Sequence, residues 1–358
     1  MGQEVRTIIL AGGQGTRFWP ISRMKCPKQF LSISPSGESL IAATARRAGF
    51  LCGPENLWIV TNIQHRAAVL EHVPHAHVLC ESVGRNTAAS IGLAAISLRH
   101  RSEDAVMVVL PADHAIKDEA TLTRVLQGGV SIAQEKGRLV TIGITPTHPH
   151  TGYGYIRRGE KLAGCGPNAF EVSRFYEKPN LNRAIKYVES GDFFWNSGMF
   201  VWRATTILEA FKEYMPDLYA GLCRIELALG GPQESATIAE EFAKLESVSI
   251  DFGVLEHARN CAVIVAEPFG WDDVGSWESW AEHFEKDERN NLCYGDVIVL
   301  DGTNNVVHSK TKFIATLGVS DLVIIDAGDA MLVCPRSRAQ DVRKVVEELR
   351  RVGRKELV

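Results

Sequence analysis
The chain has 358 residues, 45% hydrophobic and 23% charged, the balance of an ordinary globular protein, which excludes a disordered or fibrous chain. Lys and Arg number 39 against 43 Asp and Glu, a net charge of -4, so there is no global electrostatic case for nucleic acid or an anionic membrane as partner. The eight cysteines are scattered with no C-x-x-C pair, no apolar run approaches membrane-spanning length, and the N-terminus shows no leader pattern, so reduced thiols in a cytoplasmic protein are expected.

The first strand-like run, "TIIL" at 7–10, leads into "AGGQGTR", where Gly12, Gly13 and Gly15 allow a sharp turn and leave backbone N–H groups bare for phosphate oxygens. This is not a P-loop, since no G-K-[ST] follows, and Phe18 stands where the third glycine of a dinucleotide fingerprint belongs. Arg17, Arg23, Lys25 and Lys28 come next, with Pro20 and Pro27 stiffening the path; a phosphate cradle followed by cations suits a triphosphate. Val- and Ile-rich runs at 57–61, 77–80, 105–113 and 138–144 then alternate with helical spacing at 39–51, 64–73, 87–101 and 120–136. That alternation predicts an α/β fold, a doubly wound, mainly parallel sheet with its site at the carboxyl ends of the strands.

From about 150 the pattern mixes strands in "YGYIRRG", "AFEVSRFYEKP" and "WNSGMFVWRA" with helices over 180–191, 204–229 and 234–245, read as a second lobe of the same domain. After about 290 come short strands punctuated by Gly, Asn and Asp, and then a helix over 339–354 with Val342, Val345, Val346, Leu349 and Val352 on one stripe. The expected division is a catalytic domain over 1–288 and a small β-rich domain over 289–358.

The stretch "LAGGQGTRFWPIS" with "PKQFL" resembles the signature of the sugar-phosphate nucleotidyltransferases, and its "FWP" and "PKQFL" resemble the mannose-1-phosphate guanylyltransferase (GDP-mannose pyrophosphorylase) branch. Seven further segments fall in the family's order: "ESVGRNTAAS", "LPADH", "TGYGYI", "FYEKP", "WNSGMFVW", "SIDFGVLE" and "GWDDVGSW". The resemblance implies a Rossmann-like nucleotidyltransferase domain followed by a short left-handed β-helix, with homodimer contacts through the latter. It implies transfer of GMP from GTP to α-D-mannose 1-phosphate, giving GDP-mannose and pyrophosphate. A related enzyme with another base or hexose, and a non-catalytic nucleotide-sugar sensor, are the alternatives; a sensor should have lost some of Arg17, Lys28, Asp113, Lys178 or Asp273, and all five are present.

The resemblance implies a nucleotide subsite of Leu10, Gly12, Gly13, Gly15, Thr16, Arg17, Glu81, Asn86 and Thr87, with Arg17 on the triphosphate and Lys28 at the reacting end. Asp113 and Asp273 would hold Mg²⁺, a hard ion suited to a few carboxylates plus phosphate oxygens. Asp113 also suits a helix cap, and Asp272 is the rival of Asp273. Glu177 and Lys178 suit a sugar phosphate, Asn196 a sugar hydroxyl, and Gly152 a backbone N–H to the sugar. Glu81 is the candidate reader of guanine, because a carboxylate accepts from N1–H and N2–H₂ in a fork; Ser82 and Ala89 stand where the family often has proline. The attacking phosphate, with a second pKa of about 6, is already mostly a dianion at neutral pH, so no general base is needed. The chemistry is positioning and charge neutralisation.

Overall fold
In the computed structural model, which describes residues 4–13, 15–33, 37–101 and 104–358, the five predicted apolar runs are strands. They are β1 (Val5–Ala11), β2 (Leu57–Asn62), β3 (His77–Glu81), β4 (Val106–Pro111) and β5 (Leu139–Ile144). Helices α1 (Leu40–Cys52), α2 (Arg66–His72), α3 (Asn86–His100) and α4 (Glu119–Lys136) alternate with them. Contacts gather the chain into two compact units, neither continuous in sequence. The first runs to Gly12 and takes in Thr44–Ala112 and Ile116–Trp271; the second comprises Gly13–Ala43, Asp113–Ala115 and Asp272–Val358.

In the first unit, β6 (Tyr155–Lys161), β7 (Ala169–Tyr176), β8 (Phe193–Arg203) and β9 (Cys261–Val265) complete a nine-stranded sheet in the order β3-β2-β1-β4-β8-β5-β9-β7-β6. β1 to β4 pair in parallel, as do β5 and β9, while β8 lies antiparallel between β4 and β5. Residues 106–110 are all buried, as a strand covered on both faces requires, which is why this run is apolar without alternation. The parallel strands β1, β3 and β4 deliver Gly12, Glu81 and Ala112 at their carboxyl ends.

Helix α3 is buried on every side from Ile91 to Leu98 because α6 (Ala204–Tyr214) and α7 (Pro216–Ala228) pack over it. Its Gly92 admits α7, since a Cβ there would stand 2.5 Å from Leu222 Cδ1. The sequence reading takes 204–229 as one helix, but the chain turns at Met215, with φ -137°, because the following Pro216 bars helical geometry from the residue before it and starts a new helix at its first position. The remaining helices are α5 (Leu181–Ser190) and α8 (Glu234–Lys244).

In the larger hydrophobic core of the second unit, Phe18 and Trp19 of the early loop join Trp277, Trp280, Val306, Val323, Ala339, Val342 and Val346, while Val307, Ile314 and Ile324 form a smaller one. Helix α9 (Trp277–Ala281) precedes six short strands, β10 (Leu292–Tyr294), β11 (Val297–Leu300), β12 (Val306–Ser309), β13 (Ile314–Leu317), β14 (Leu322–Asp326) and β15 (Met331–Pro335). Successive strands alternate between two sheets: β10, β12 and β14 pair in parallel in one, and β11 and β13 in the other. The chain thus coils as a solenoid until β15 turns back antiparallel on β14. The predicted final helix is α10 (Arg343–Arg351), preceded by a 3-10 turn over Arg336–Val342; Val346 is buried, but Val352 follows the helix and is exposed.

A ladder of buried amides holds the coils in register. Asn291 Nδ2 donates to the Gly302 carbonyl at 3.1 Å, and its Oδ1 accepts from the Asn305 backbone N–H at 3.0 Å. Asn305 in turn donates through Nδ2 to the Val319 carbonyl at 2.9 Å and accepts from Leu322 N–H at 3.0 Å. Each coil closes the backbone groups of the next, and Asn305 has no exposed surface. Asn305→Ala leaves several buried partners unsatisfied, and we expect it to cost about 3 kcal/mol, read as a lowered urea midpoint in tryptophan fluorescence.

Candidate active site
Of the three glycines in the opening turn, Gly15 is required by the protein itself. It lies at φ 61°, where a Cβ would stand 2.3 Å from Lys28 Cβ. Gly12 and Gly13 are exposed, and a Cβ on either would meet no atom within 4 Å, so packing within the fold does not require glycine at these positions. Leu10 is half-buried in β1, in register with Val60 of β2 and Pro111 of β4. Thr16 and Arg17 lie on a 3-10 turn, Thr16–Phe18, anchored by buried Phe18.

Among the cations of this stretch the structure draws a sharp distinction. Arg23 is committed to the protein, donating to the Pro20 and Leu357 carbonyls, each at 2.6 Å, and to Asp329 at 2.9 Å. Lys28 is only 6% exposed, and its Nζ donates to Asp113 Oδ2 at 2.8 Å and to the Asp273 carbonyl at 2.5 Å. Burial pushes the Asp113 carboxyl up, but the Lys28 ammonium and His114 outweigh it and hold the group below its ordinary range. Arg17 is exposed, and its Nη1 donates to Gln340 Oε1 at 3.0 Å.

The two aspartates are brought together by backbone as well. Ala115 and Asp272 exchange N–H and carbonyl hydrogen bonds of 2.9 and 3.0 Å, a two-residue bridge that sets Asp113 and Asp273 side by side around Lys28. Asp272, the rival, is already employed: it accepts from Ser279 Oγ at 2.7 Å, from Val274 N–H at 2.7 Å and pairs with His283 Nε2 at 3.0 Å. Burial works against its ionisation, yet His283 and Ser279 hold it down to about 2. Asp273 instead turns its carboxylate toward Gly275, where a Cβ would stand 3.0 Å from both oxygens and 3.2 Å from Arg17 Nη1. The Asp113 carboxylate, paired with Lys28, and the Asp273 carboxylate, near Arg17, are oxygen donors of the kind that would suit a magnesium ion completed by ligand phosphate oxygens. Among the described residues there is no cluster of three or more His, Cys, Asp or Glu that could hold a metal by itself.

In the first unit Glu81, at the end of β3, does not present the open fork expected of a guanine reader. It is 2% exposed, accepts from Ser90 Oγ, and burial raises its carboxyl to about 7. Asn86, at φ 64°, caps locally by accepting from Thr87 N–H at 2.8 Å, and Thr87 Oγ1 accepts from Ile250 N–H at 2.8 Å. That bond ties the start of α3 to the π-helical turn Asp251–Leu255.

Asp251, within the segment "SIDFGVLE", is the centre of a polar cluster. Asn196 Nδ2 donates to its Oδ1 at 2.6 Å, and Asn196 Oδ1 accepts from Thr141 Oγ1 at 3.1 Å, so Asn196 is held as the partner of Asp251 rather than left open. Burial, and then the nearby Glu177 carboxylate, raise Asp251 to about 6. Gly154, not Gly152, is the glycine this cluster needs: a Cβ there would stand 2.5 Å from Glu177 Oε2, while its carbonyl accepts from Asn196 N–H at 2.8 Å. Gly152 donates its N–H to His150 Nδ1 at 3.2 Å. Lys178 pairs with Glu177 at 2.5 Å from a backbone at φ 44°, a strained position for a lysine and one that projects its ammonium outward. The sequence signal for Asp251 was present, a carboxylate set between Ile250 and Phe252.

These features are those of a nucleotidyl transferase, and the comparisons agree. The nucleotidyl transferase family model matches residues 6–290, and a MannoseP isomerase/GMP-like β-helix domain matches 295–349. The chain belongs to the nucleotidyl transferase family. It is 41% identical over 98% of its length to the mannose-1-phosphate guanylyltransferase of Escherichia coli K12, covering 74% of that protein. It is 40% identical over 99% of its length to the xanthan biosynthesis protein XanB of Xanthomonas campestris, covering 75% of it. The crystal structure of a mannose-1-phosphate geranyltransferase from Thermus thermophilus superposes with a TM-score of 0.87 at 34% identity, over 97% of this chain and all of that one.

The Glu81 carboxyl makes stability depend on pH with a definite sign. Its folded pKa is raised, so its contribution is fully present below the unfolded value near 4.5 and is lost as the pH rises through about 7. Unfolding by urea between pH 4.5 and 8 should show roughly 2–3 kcal/mol less stability from this group at the upper end, and Glu81→Gln should flatten that slope.

Proposed function
We propose that the chain transfers GMP from GTP to α-D-mannose 1-phosphate, releasing pyrophosphate and forming GDP-mannose. The observation that carries this reading is the Lys28 ammonium clasped between the Asp113 carboxylate and the Asp273 carbonyl, with the Arg17 guanidinium close to the Asp273 carboxylate. Relatives named mannose-1-phosphate guanylyltransferase, 41% identical over nearly the whole chain, support the choice of base and sugar.

A phosphate oxygen of the sugar 1-phosphate attacks the α-phosphorus, and the bond from that phosphorus to the β-phosphate oxygen breaks. The attacking dianion needs no base. The obstacle is repulsion between two polyanions, and the cations of this chain answer it. Arg17 and the bare N–H groups of the glycine turn hold the triphosphate and the departing pyrophosphate; Lys28 stabilises charge at the reacting end; Lys178 meets the sugar phosphate. Asp113 and Asp273 are the carboxylates that would hold Mg²⁺, which when bound neutralises triphosphate charge. Glu177 and Asp251 accept from sugar hydroxyls, with Asn196 fixing Asp251. Base recognition by Glu81 requires exchange of its bond to Ser90, so the loop of Glu81, Asn86 and Thr87 acts as a unit. In the same reading residues 1–288 carry the transferase reaction, and 289–358 carry the β-helix-like solenoid. Two chains associate through the solenoid face that leaves Ile298, Leu300 and Leu317 exposed. No helix among the described residues is long and apolar enough to cross a membrane.

The test is pyrophosphate release with Mg²⁺ and each nucleotide, with and without mannose 1-phosphate. Release should require mannose 1-phosphate and prefer GTP; a different preferred pair would overturn the specificity, and no release with any pair would overturn the reaction. Lys28→Met should lower kcat by about 100-fold or more. Asp251→Asn should raise KM for mannose 1-phosphate several-fold, on the order of 1 kcal/mol of lost binding, while KM for GTP stays near the wild-type value.

A further inference from the structure
Arg17 sits on a loop near the start of the chain, yet the groups that hold it come from the end. Phe18 and Trp19, which follow it, are 1% and 6% exposed and lie in the same core as Ala339 and Val342, which flank Gln340 and are 1% and 2% exposed. Both ends of the Arg17–Gln340 hydrogen bond therefore start from fixed anchors, although the bond itself is at the surface. The loop is gripped a second time farther on. Trp19 Nε1, at 2.7 Å, and Arg23 Nη1, at 2.6 Å, converge on the carbonyl of Leu357, and the Arg23 guanidinium lies over the Trp19 ring at 5.6 Å.

We propose that this C-terminal segment is a working part of the triphosphate subsite: Gln340 is a positioning residue for Arg17, and the Leu357 carbonyl straps down the loop that carries it. The acceptor is neutral, which matters. A glutamine orients the guanidinium without adding a second carboxylate to that of Asp273, so Arg17 keeps more of its positive charge for the triphosphate. A carboxylate in its place would hold Arg17 more tightly and compete with the ligand. A free arginine side chain has to lose rotamer freedom when it closes on phosphate, and an arginine already held in one orientation loses less. The inference rests on Arg17 being the triphosphate arginine.

The experiment compares Gln340→Met, close in size but without an acceptor, with the wild-type enzyme, alone and in an Arg17→Ala background. Initial rates are measured in both directions. Gln340→Met should raise KM for GTP and for pyrophosphate about fivefold, the effect of one hydrogen bond, leaving KM for mannose 1-phosphate and Tm unchanged. In the Arg17→Ala enzyme the same substitution should add nothing. Gln340→Glu should also weaken both constants, and unlike Gln340→Met its effect should shrink as salt rises. Trp19→Phe, which removes one of the two donors to Leu357, should shift the same two constants in the same direction by a smaller factor.

A Gln340→Met enzyme with wild-type constants, or one whose defect persists undiminished without Arg17, would overturn the proposal. A loss spread equally over all substrates with a lowered Tm would mark Gln340 as merely structural and overturn it too. If Arg17→Ala by itself leaves GTP and pyrophosphate constants untouched, the assignment of Arg17 fails first, and that result is visible before any Gln340 variant is made.

Discussion
The second unit is organised around a buried ammonium. Lys28 has left water almost completely, and a cation in that position is tolerable only if every side of it meets a negative charge or a carbonyl dipole. Asp113 supplies the charge and the Asp273 carbonyl the dipole. This one requirement explains several features that look unrelated along the chain. Gly15 must lack a side chain because Lys28 packs against it, and residues 113–115 leave the end of β4 to join the second unit. The backbone bridge between Ala115 and Asp272 then fixes the two aspartates at the separation the lysine imposes.

Adjacent acidic residues in "WDDVGSW" take opposite parts in this arrangement. Asp272 is drawn inward by Ser279, His283 and the Val274 N–H, and becomes a strut. Asp273 contributes its carbonyl to Lys28 and leaves its carboxylate on the side of Arg17 and Gly275. The positive φ of Val274, 46°, is the backbone cost of turning two neighbouring residues in different directions. The polar cluster of the first unit follows a similar logic: Asn196 satisfies Asp251, Gly154 makes room for Glu177, and burial together with the Glu177 carboxylate keeps Asp251 easier to protonate than a solvated aspartate.

Most of the fold could be read directly because the periodicity was strong. The runs that became β1 to β5 are apolar on both faces, and the stripe of Val342, Val345, Val346 and Leu349 marks a helix. The misses have local causes. Pro216 divided a segment whose apolar pattern continues across it, and Val352 extended the stripe beyond the point where the helix ends. At the site, the glycine turn and its cations stood out in the sequence as charge beside bare backbone, whereas Asp113 and Asp273 were singled out by the family resemblance, and the fold brings both to Lys28. Gly154 and Asp251 were not separated from their neighbours, since their importance lies in which side chain occupies the adjacent space. Glu81 was legible as a carboxylate at a strand end, but its burial against Ser90 was not.

The alternation of strands and helices, the glycine turn, and the supply of cations and carboxylates were all written in the amino-acid sequence, because they follow from periodicity, backbone freedom and charge within short windows. Which of those groups are spent on holding the chain together and which are gathered beside one another was settled by tertiary packing. Arg23 and Lys28 are five residues apart and equally basic, yet one is consumed by carbonyls near the chain end and the other is buried between aspartates. The difference arises from partners some 85, 245 and 334 residues away in sequence, and only folding sets those distances.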